Sequence, residues 1–120
     1  MTCLESATLD IIFNNRKLEK QANNSRLLEK KQGTRRANLI RRRLDDLAAA
    51  ATLEDMDYFP QARCHALSAN REGQFSIDLD HPYRLIFIIA NDPIPRVEDG
   101  GVNRLEVTAI CIIGVEDTHE

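Results

Sequence analysis

The sequence has little that could hold the chain in a membrane or carry it across one. Its longest apolar run, residues 85–90, is far shorter than the ~20 apolar residues that a transmembrane helix requires. Residues 1–13 carry Glu5 and Asp10 and no basic region ahead of their apolar residues, which is unlike a secretory signal peptide. We therefore expect a cytoplasmic protein that does not associate with a membrane.

The sequence is also poor in the motifs that bind metals and cofactors. Its three cysteines, Cys3, Cys64 and Cys111, are odd in number and form no C-x-x-C pair, which argues against a disulfide framework and a zinc knuckle. The three histidines are far apart, and none has a second ligand at metal-binding spacing. There is no phosphate-binding P-loop, dinucleotide fingerprint, H-E-x-x-H or G-x-S-x-G. We expect no metal, no cofactor and, in a reducing compartment, free thiols.

What the sequence does contain is an ordinary globular composition with an uneven distribution of charge. A chain of 120 residues with 42% hydrophobic and 29% charged residues fits one domain, 1–120. The net charge is only −3, yet residues 14–44 hold eleven Lys and Arg against Glu19 and Glu29, and residues 90–120 hold two Arg against seven acids. The basic segment could attract nucleic acid or an acidic protein, or it could simply form solvated helix faces.

The basic segment has helical periodicity. A short apolar strand over 9–13 is followed by a helix over 16–31, with Asn14 or Asn15 as its N-cap. Gly33 interrupts the pattern, and a second helix follows. One face of this helix carries a continuous apolar stripe: Ile40, Leu44, Leu47, Ala48 and Ala51. Because the link between the two helices is short, we expect an antiparallel helical hairpin.

After Pro60 the pattern changes to that of strands. Strands are predicted over 63–68, 74–79, 83–89 and 106–115, with a tight reversal at 80–82 and a long acidic loop at 91–104. The order β-α-α-β-β-β-β, with short turns between most strands, predicts an α+β fold in which the helices pack on a small, mainly antiparallel sheet.

Four short motifs in the C-terminal half occur in a recognisable order. They are R-C-H-A-L at 63–67, R-E-G-Q-F-S at 71–76, Y-R-L-I-F at 83–87 and E-D-T-H at 116–119. Together they resemble the HigB-like plasmid-maintenance killer toxins of the RelE/ParE superfamily. Members of that family read R-x-H-x-L-K-G-x-R-x-G-x-[WF]-S, then [WY]-R-[LI]-x-F, and end in D-Y-H. The resemblance covers 63–87 well and 116–119 in part, and it implies a RelE-like fold with a curved sheet.

The resemblance also implies a function. Such a protein is the toxin of a type II toxin-antitoxin system and a ribosome-dependent mRNA endonuclease, inhibited by a helix-turn-helix antitoxin. In this chemistry the ribose 2′-OH attacks the adjacent phosphorus and leaves a 2′,3′-cyclic phosphate. The reaction needs a base, an acid and positive charge over the non-bridging oxygens.

The resemblance assigns these roles residue by residue. The implied catalytic residues are His65, Arg84, Asp117 and His119. Arg84 would stabilise the phosphate, the two imidazoles would move protons, and Asp117 would orient an imidazole. Arg63 and Arg71 are expected to bind phosphate or RNA. The basic helices are expected to bind the antitoxin through Arg35, Arg36, Arg41, Arg42 and Arg43.

The sequence departs from the family pattern at two positions and leaves alternatives open. Ser68 stands at the family Lys, and Thr118 at the family Tyr. A gyrase-directed toxin of the ParE type and a non-catalytic module that docks an antitoxin are therefore further interpretations. His65 could instead be a hydrogen-bonded core histidine, and Arg84 needs either a carboxylate or a ligand as its partner. His81, in the reversal, is expected to be a plain turn residue.

Overall fold

The computed structural model describes residues 8–68 and 71–118. Its helices and strands are β1 Asp10–Phe13, α1 Arg16–Ala22, α2 Ser25–Gln32, α3 Thr34–Ala49, β2 His65–Ala66, β3 Gln74–Asp78, β4 Tyr83–Ile89 and β5 Ala109–Asp117. Three short 3-10 helices lie at Leu53–Tyr58, Pro60–Ala62 and Arg104–Glu106. The α+β class and the order of the strands are confirmed.

The basic segment forms three helices rather than the two that were predicted. The side chain of Asn15 accepts a hydrogen bond from the Leu18 N–H at 3.0 Å and begins α1. Asn24 accepts one from the Leu27 N–H at 3.1 Å and begins α2, so the predicted helix over 16–31 is divided there. The Asn24 side chain stabilises the beginning of α2, because the first N–H groups of a helix have no carbonyl partner within that helix.

Helices α2 and α3 pack against each other across a link at Gly33, whose φ of 83° favours glycine. The predicted stripe of α3 is buried at Ile40 and Leu47, and Ala37 extends it toward the N-terminus of the helix. Within the described ranges 8–68 and 71–118, no helix combines the length and the apolar character needed to span a membrane.

The five strands form one mixed sheet in the order β1-β5-β4-β3-β2. Strand β1 pairs with β5 in parallel, and the other three pairings are antiparallel, as predicted for a mainly antiparallel sheet. Strand β4 has the predicted bounds. Strand β2 is only two residues long instead of covering 63–68. It cannot include Arg63, whose left-handed conformation, with a φ of 47°, is incompatible with strand geometry. Strand β5 begins later than predicted, since a 3-10 helix occupies Arg104–Glu106.

The two faces of the sheet have different chemistry. On one face, Phe75, Ile77, Leu85 and Phe87 are buried in the core with the apolar stripes of the helices. Side chains alternate along a strand, so the intervening residues project from the opposite face. We call this second side the polar face and define it by His65, Ser76, Asp78, Arg84 and Glu116. The strand register aligns His65 with Ser76, and Asp78 with Arg84 and Glu116.

Arg43 connects α3 to the sheet from inside the protein. It is 7% exposed, and its Nε donates to the backbone oxygen of Asp78 at 2.9 Å. Its Nη2 donates to the backbone oxygen of Gln61 at 3.2 Å, and Nη1 lies 3.5 Å from an Asp46 carboxylate oxygen. Three segments distant in the sequence are thereby held together by one guanidinium.

Replacement of Arg43 is expected to destabilise the fold far more than replacement of its neighbour. Arg43→Ala removes the buried guanidinium and the donors to two backbone carbonyl oxygens, and should lower the free energy of unfolding by about 3 kcal/mol. Arg42→Ala, at an exposed position of the same helix, should change it by no more than about 0.5 kcal/mol. Urea unfolding of both variants measures the difference, and equal stabilities would contradict the structural role of Arg43.

Candidate functional site

The polar face carries charges of alternating sign. Asp78, at the end of β3, lies between two arginines: its Oδ2 is 3.5 Å from Arg63 Nη1, and its Oδ1 is 3.4 Å from Arg84 Nε. Arg84 and Asp78 are direct cross-strand neighbours, and Arg84 has Glu116 as its neighbour on the other side. The carboxylate of Asp78 therefore holds two guanidinium groups, one from the segment before β2 and one from β4.

Arg71 crosses the polar face. Its Nη2 lies 2.7 Å from a carboxylate oxygen of Glu116, and its Nε and Nη2 donate to Gln74 Oε1 at 2.9 and 2.7 Å. In the strand register, Gln74 and Glu116 lie on opposite sides of the row that contains Ser76 and Ile86. The Arg71 side chain therefore spans this row, in which Ser76 and Ile86 are fully buried.

Arg84 keeps most of its hydrogen-bonding capacity. Its side chain is only 12% exposed, and the 3.4 Å contact with Asp78 is too long for a strong charge-assisted hydrogen bond. Within the described ranges, Arg84 makes no directed hydrogen bond, although a guanidinium has five N–H donors. Within the described residues, none of its nitrogens is among the buried atoms that lack a hydrogen bond, so the donors reach solvent and can meet an anionic ligand.

His65 is held in a defined tautomer. Its Nδ1 lies 2.8 Å from the backbone oxygen of Arg63. A carbonyl oxygen can only accept, so Nδ1 must carry the proton, and Nε2 of the neutral ring is left as the basic nitrogen. The left-handed backbone of Arg63 turns this carbonyl toward the ring. His65 lies on the same face of the sheet as Arg84.

The described residues do not bring all the predicted catalytic side chains together. Asp117 is the cross-strand partner of Tyr83, so it belongs to the opposite side of the sheet from Arg84 and Glu116. His119 lies outside the described residues. Thr118, at the family Tyr position, is buried, and its N–H donates to the Pro82 oxygen at 3.1 Å.

The five helix arginines proposed for partner binding divide into two groups. Arg36, Arg41 and Arg43 are engaged in contacts within the protein: Arg36 with Asp80, Arg41 with Glu29, Asn38 and the Ser25 oxygen, and Arg43 as described above. The structure therefore gives Arg43, and in large part Arg36, an intramolecular role instead of the predicted one. Arg35 and Arg42 are exposed and remain accessible to a partner.

Sequence reasoning missed the carboxylates of the polar face. Asp78 and Arg84 lie at equal distances from the reversal at 80–82, so antiparallel pairing around that turn would have placed them opposite each other. Glu116 could not be found in the same way, because its register with β4 depends on a bulge between Ile86 and Phe87. Both acids act as counter-ions that hold the arginines in place.

Neither a metal centre nor a reactive thiol was found in this part of the protein. Residues 8–68 and 71–118 contain no group of three His, Cys, Asp or Glu side chains arranged to hold a metal ion. Burial raises the pKa of the Cys64 thiol to about 11, so this neighbour of His65 is protonated at neutral pH and is a poor nucleophile.

Arg36 stabilises the reversal at 80–82, which lies beside the polar face. Its Nε donates to Asp80 Oδ1 at 2.8 Å, its Nη2 donates to Oδ2 at 3.1 Å, and its Cζ lies 3.5 Å from the centre of the Tyr83 ring. The hydrogen bond from Arg36 lowers the pKa of Asp80 below its ordinary value. The Asp80 carboxylate is therefore neutralised inside the protein.

Asp80→Asn is expected to reduce stability in a pH-dependent way. The lowered pKa means that the contribution of the Asp80 carboxylate is present above ~pH 4, the ordinary value for Asp, and is lost as the pH falls through the folded-state value. The variant should be less stable than the wild type by about 1–2 kcal/mol at pH 7. The difference should shrink below ~pH 4. Thermal unfolding at several pH values measures it, and a difference that does not depend on pH would contradict the ion pair.

The comparisons with known proteins agree with this architecture. A search of curated proteins found no match to the chain. The family model HigB-like toxin, described as RelE-like toxin of type II toxin-antitoxin system HigB, matches residues 13–97. This range covers more than two thirds of the chain and includes α1 to α3, the reversal at 80–82, and the polar-face residues His65, Asp78 and Arg84. The chain therefore belongs to the HigB-like toxins, the RelE-like toxins of type II toxin-antitoxin systems.

Proposed function

We propose that this toxin is a ribosome-dependent endonuclease that cleaves mRNA on its polar face. The observation that carries the proposal is that His65, with Nε2 as its basic nitrogen, shares a face with the unused donors of Arg84. Their Cα atoms lie two strands and two residues apart, a separation of ~12 Å for ordinary sheet spacings. A phosphodiester bound between them is within reach of both side chains.

The proposed chemistry follows from these positions. His65 Nε2 takes the proton of the ribose 2′-OH, and the 2′-oxygen attacks the adjacent phosphorus. The bond from phosphorus to the 5′-oxygen breaks and leaves a 2′,3′-cyclic phosphate. Arg84 donates to the non-bridging oxygens, on which negative charge develops. An acid must protonate the departing 5′-oxygen, and His119 is the residue we propose for this step.

Arg63 and Arg71 are proposed to hold the RNA backbone on either side of the reacting phosphate. Arg63 is 65% exposed, and its ion pair with Asp78 is 3.5 Å long, so an RNA phosphate can compete for it. Arg71 is fixed more firmly by its 2.7 Å contact with Glu116. These carboxylates keep the guanidinium groups extended over the sheet, which lowers the entropy lost when RNA binds.

A type II toxin has an antitoxin partner, and we propose that a helix-turn-helix antitoxin binds the exposed side of the helices. Arg35 and Arg42 are exposed there. Arg35 also contributes to the lowered pKa of Asp80, through its charge. An acidic antitoxin segment would pair with both arginines in the cytoplasm. This surface lies on the side of the sheet opposite to the polar face.

A non-catalytic toxin, for example one directed at gyrase, is the second candidate. It is favoured by the carboxylates that face Arg63, Arg71 and Arg84, and by the position of Asp117 on the other side of the sheet. Such a toxin would arrest growth and leave mRNA intact. Induced DNA damage without new mRNA 5′ ends would support this function over cleavage.

Arg84→Ala is expected to abolish cleavage. Loss of the group that stabilises the developing charge should reduce mRNA cleavage about 100-fold or more. The mRNA cleavage by Arg84→Lys should fall between that of Arg84→Ala and that of the wild type, because lysine keeps the positive charge and lacks the planar set of donors of arginine. The measurement is the mapping of mRNA 5′ ends after induced expression, together with growth.

The matched control is Arg26→Ala, which removes the same charge from an exposed position on α2. It should leave cleavage and growth arrest unchanged. Unchanged transcripts after expression of the wild-type protein would refute the nuclease function, and cleavage by Arg84→Ala at the wild-type rate would refute the role of Arg84.

A further inference from the structure

A small pocket lies where the reversal at 80–82 meets the polar face. Its volume is about 50 Å³, and the polar residues that line it are Arg63, Asp78, His81 and Arg84. The apolar side chains of Leu79, Pro82 and Tyr83 complete it. His81 was expected to be a plain turn residue, yet it lines the same pocket as Arg63 and Arg84.

The pocket has donors without partners. His81 is exposed and makes no hydrogen bond or ion pair with any residue of 8–68 or 71–118. Arg84 makes no directed hydrogen bond within those ranges, and the one ion pair of Arg63 is 3.5 Å long. Asp78 Oδ1, an acceptor, is buried there without a hydrogen bond and lies 3.4 Å from Arg84 Nε. Arg63, His81 and Arg84 therefore line one pocket, and most of their N–H donors make no hydrogen bond within the described residues.

The charge of the pocket is positive. Two guanidinium groups face the single carboxylate of Asp78. The other acid of the turn, Asp80, does not neutralise them because it is bonded to Arg36 through both of its oxygens. An anion that enters the pocket meets an excess of positive charge and a low-dielectric wall formed by Leu79 and Tyr83.

We propose that this pocket binds a single phosphate group, and that His81 is a phosphate-binding residue. With a volume of about 50 Å³, the pocket has room for one small oxyanion. The two arginines supply planar donors suited to phosphate oxygens, and the imidazole supplies a further N–H. No bond is made or broken in this step.

In the RNA complex the bound group would be a backbone phosphate next to the scissile one. This assignment rests on the proposed function, whereas binding of phosphate itself does not. Since Arg84 borders both the pocket and the centre of the polar face, the pocket would fix the register of the RNA relative to His65.

Titration of the full-length toxin with inorganic phosphate tests the binding directly. We expect the imidazole resonances of His81, assigned by comparison with His81→Asn, to shift and saturate in the NMR spectrum. His81→Asn, Arg63→Gln and Arg84→Gln should each weaken phosphate binding about tenfold, as expected for the loss of one charge-assisted contact. His81→Lys should retain binding, because lysine restores a cationic donor.

The control is Arg26→Gln, which should bind phosphate as the wild type does. Saturable binding that disappears with the pocket variants supports the pocket. Absence of a saturable His81 shift, or an equal loss in Arg26→Gln, would overturn it. Circular dichroism of each variant separates loss of binding from loss of fold.

A second arm identifies the source of the phosphate with a 2′-O-methyl RNA oligonucleotide, which lacks the attacking hydroxyl. If His81→Asn binds this RNA more weakly and cleaves mRNA more slowly than the wild type, the assignment of the bound group as an RNA backbone phosphate is supported. Phosphate binding by a wild-type protein that cleaves no mRNA would leave the pocket standing and refute the proposed function. Full RNA binding and cleavage by His81→Asn would refute the RNA assignment.

Discussion

The arrangement of the polar face depends on Asp78. Its carboxylate lies within 3.5 Å of both Arg63 and Arg84, and its backbone oxygen accepts a hydrogen bond from the buried Arg43. One residue at the end of β3 therefore connects α3, the segment before β2 and the central strand β4. The helices support the site in this way although they pack on the other face of the sheet. A partly buried carboxylate between two guanidinium groups is tolerated because the opposite charges offset the cost of its removal from water.

The carboxylates also determine what kind of site the polar face can be. A surface of free arginines would repel itself and remain mobile, whereas Asp78 and Glu116 hold Arg63, Arg84 and Arg71 at defined positions. The two ion pairs of Asp78 are long, which leaves donors of Arg84 available to a ligand. The contact between Arg71 and Glu116 is short, at 2.7 Å, and it fixes the Arg71 guanidinium on the polar face. An ion pair between arginine and a carboxylate thus leaves donors available to a ligand at Arg84, and it holds the side chain in place at Arg71.

Sequence patterns predicted the elements that have a strong local cause. Strand β4 has its predicted bounds, because a run of apolar residues on both faces identifies a central strand. The break at Asn24 was missed, since Leu18, Ala22, Ser25 and Leu28 keep helical spacing across it while the cap acts through a single side chain. The short β2 was missed because a left-handed arginine gives no sequence signal. In the site, His65 and Arg84 were identified by resemblance, and their shared face follows from the strand register.

By itself the sequence determined the family, the α+β class, the basic character of the helices and the residue types of the site. These properties follow from local periodicity and from motifs that are contiguous in the chain. The tertiary structure decided which charges meet: that Arg43 is internal, that Asp117 lies on the other side of the sheet from Arg84, and that His81 shares a pocket with Arg63. The physical reason is that strand register and turn geometry set distances between residues far apart in sequence, and electrostatic interactions depend on those distances.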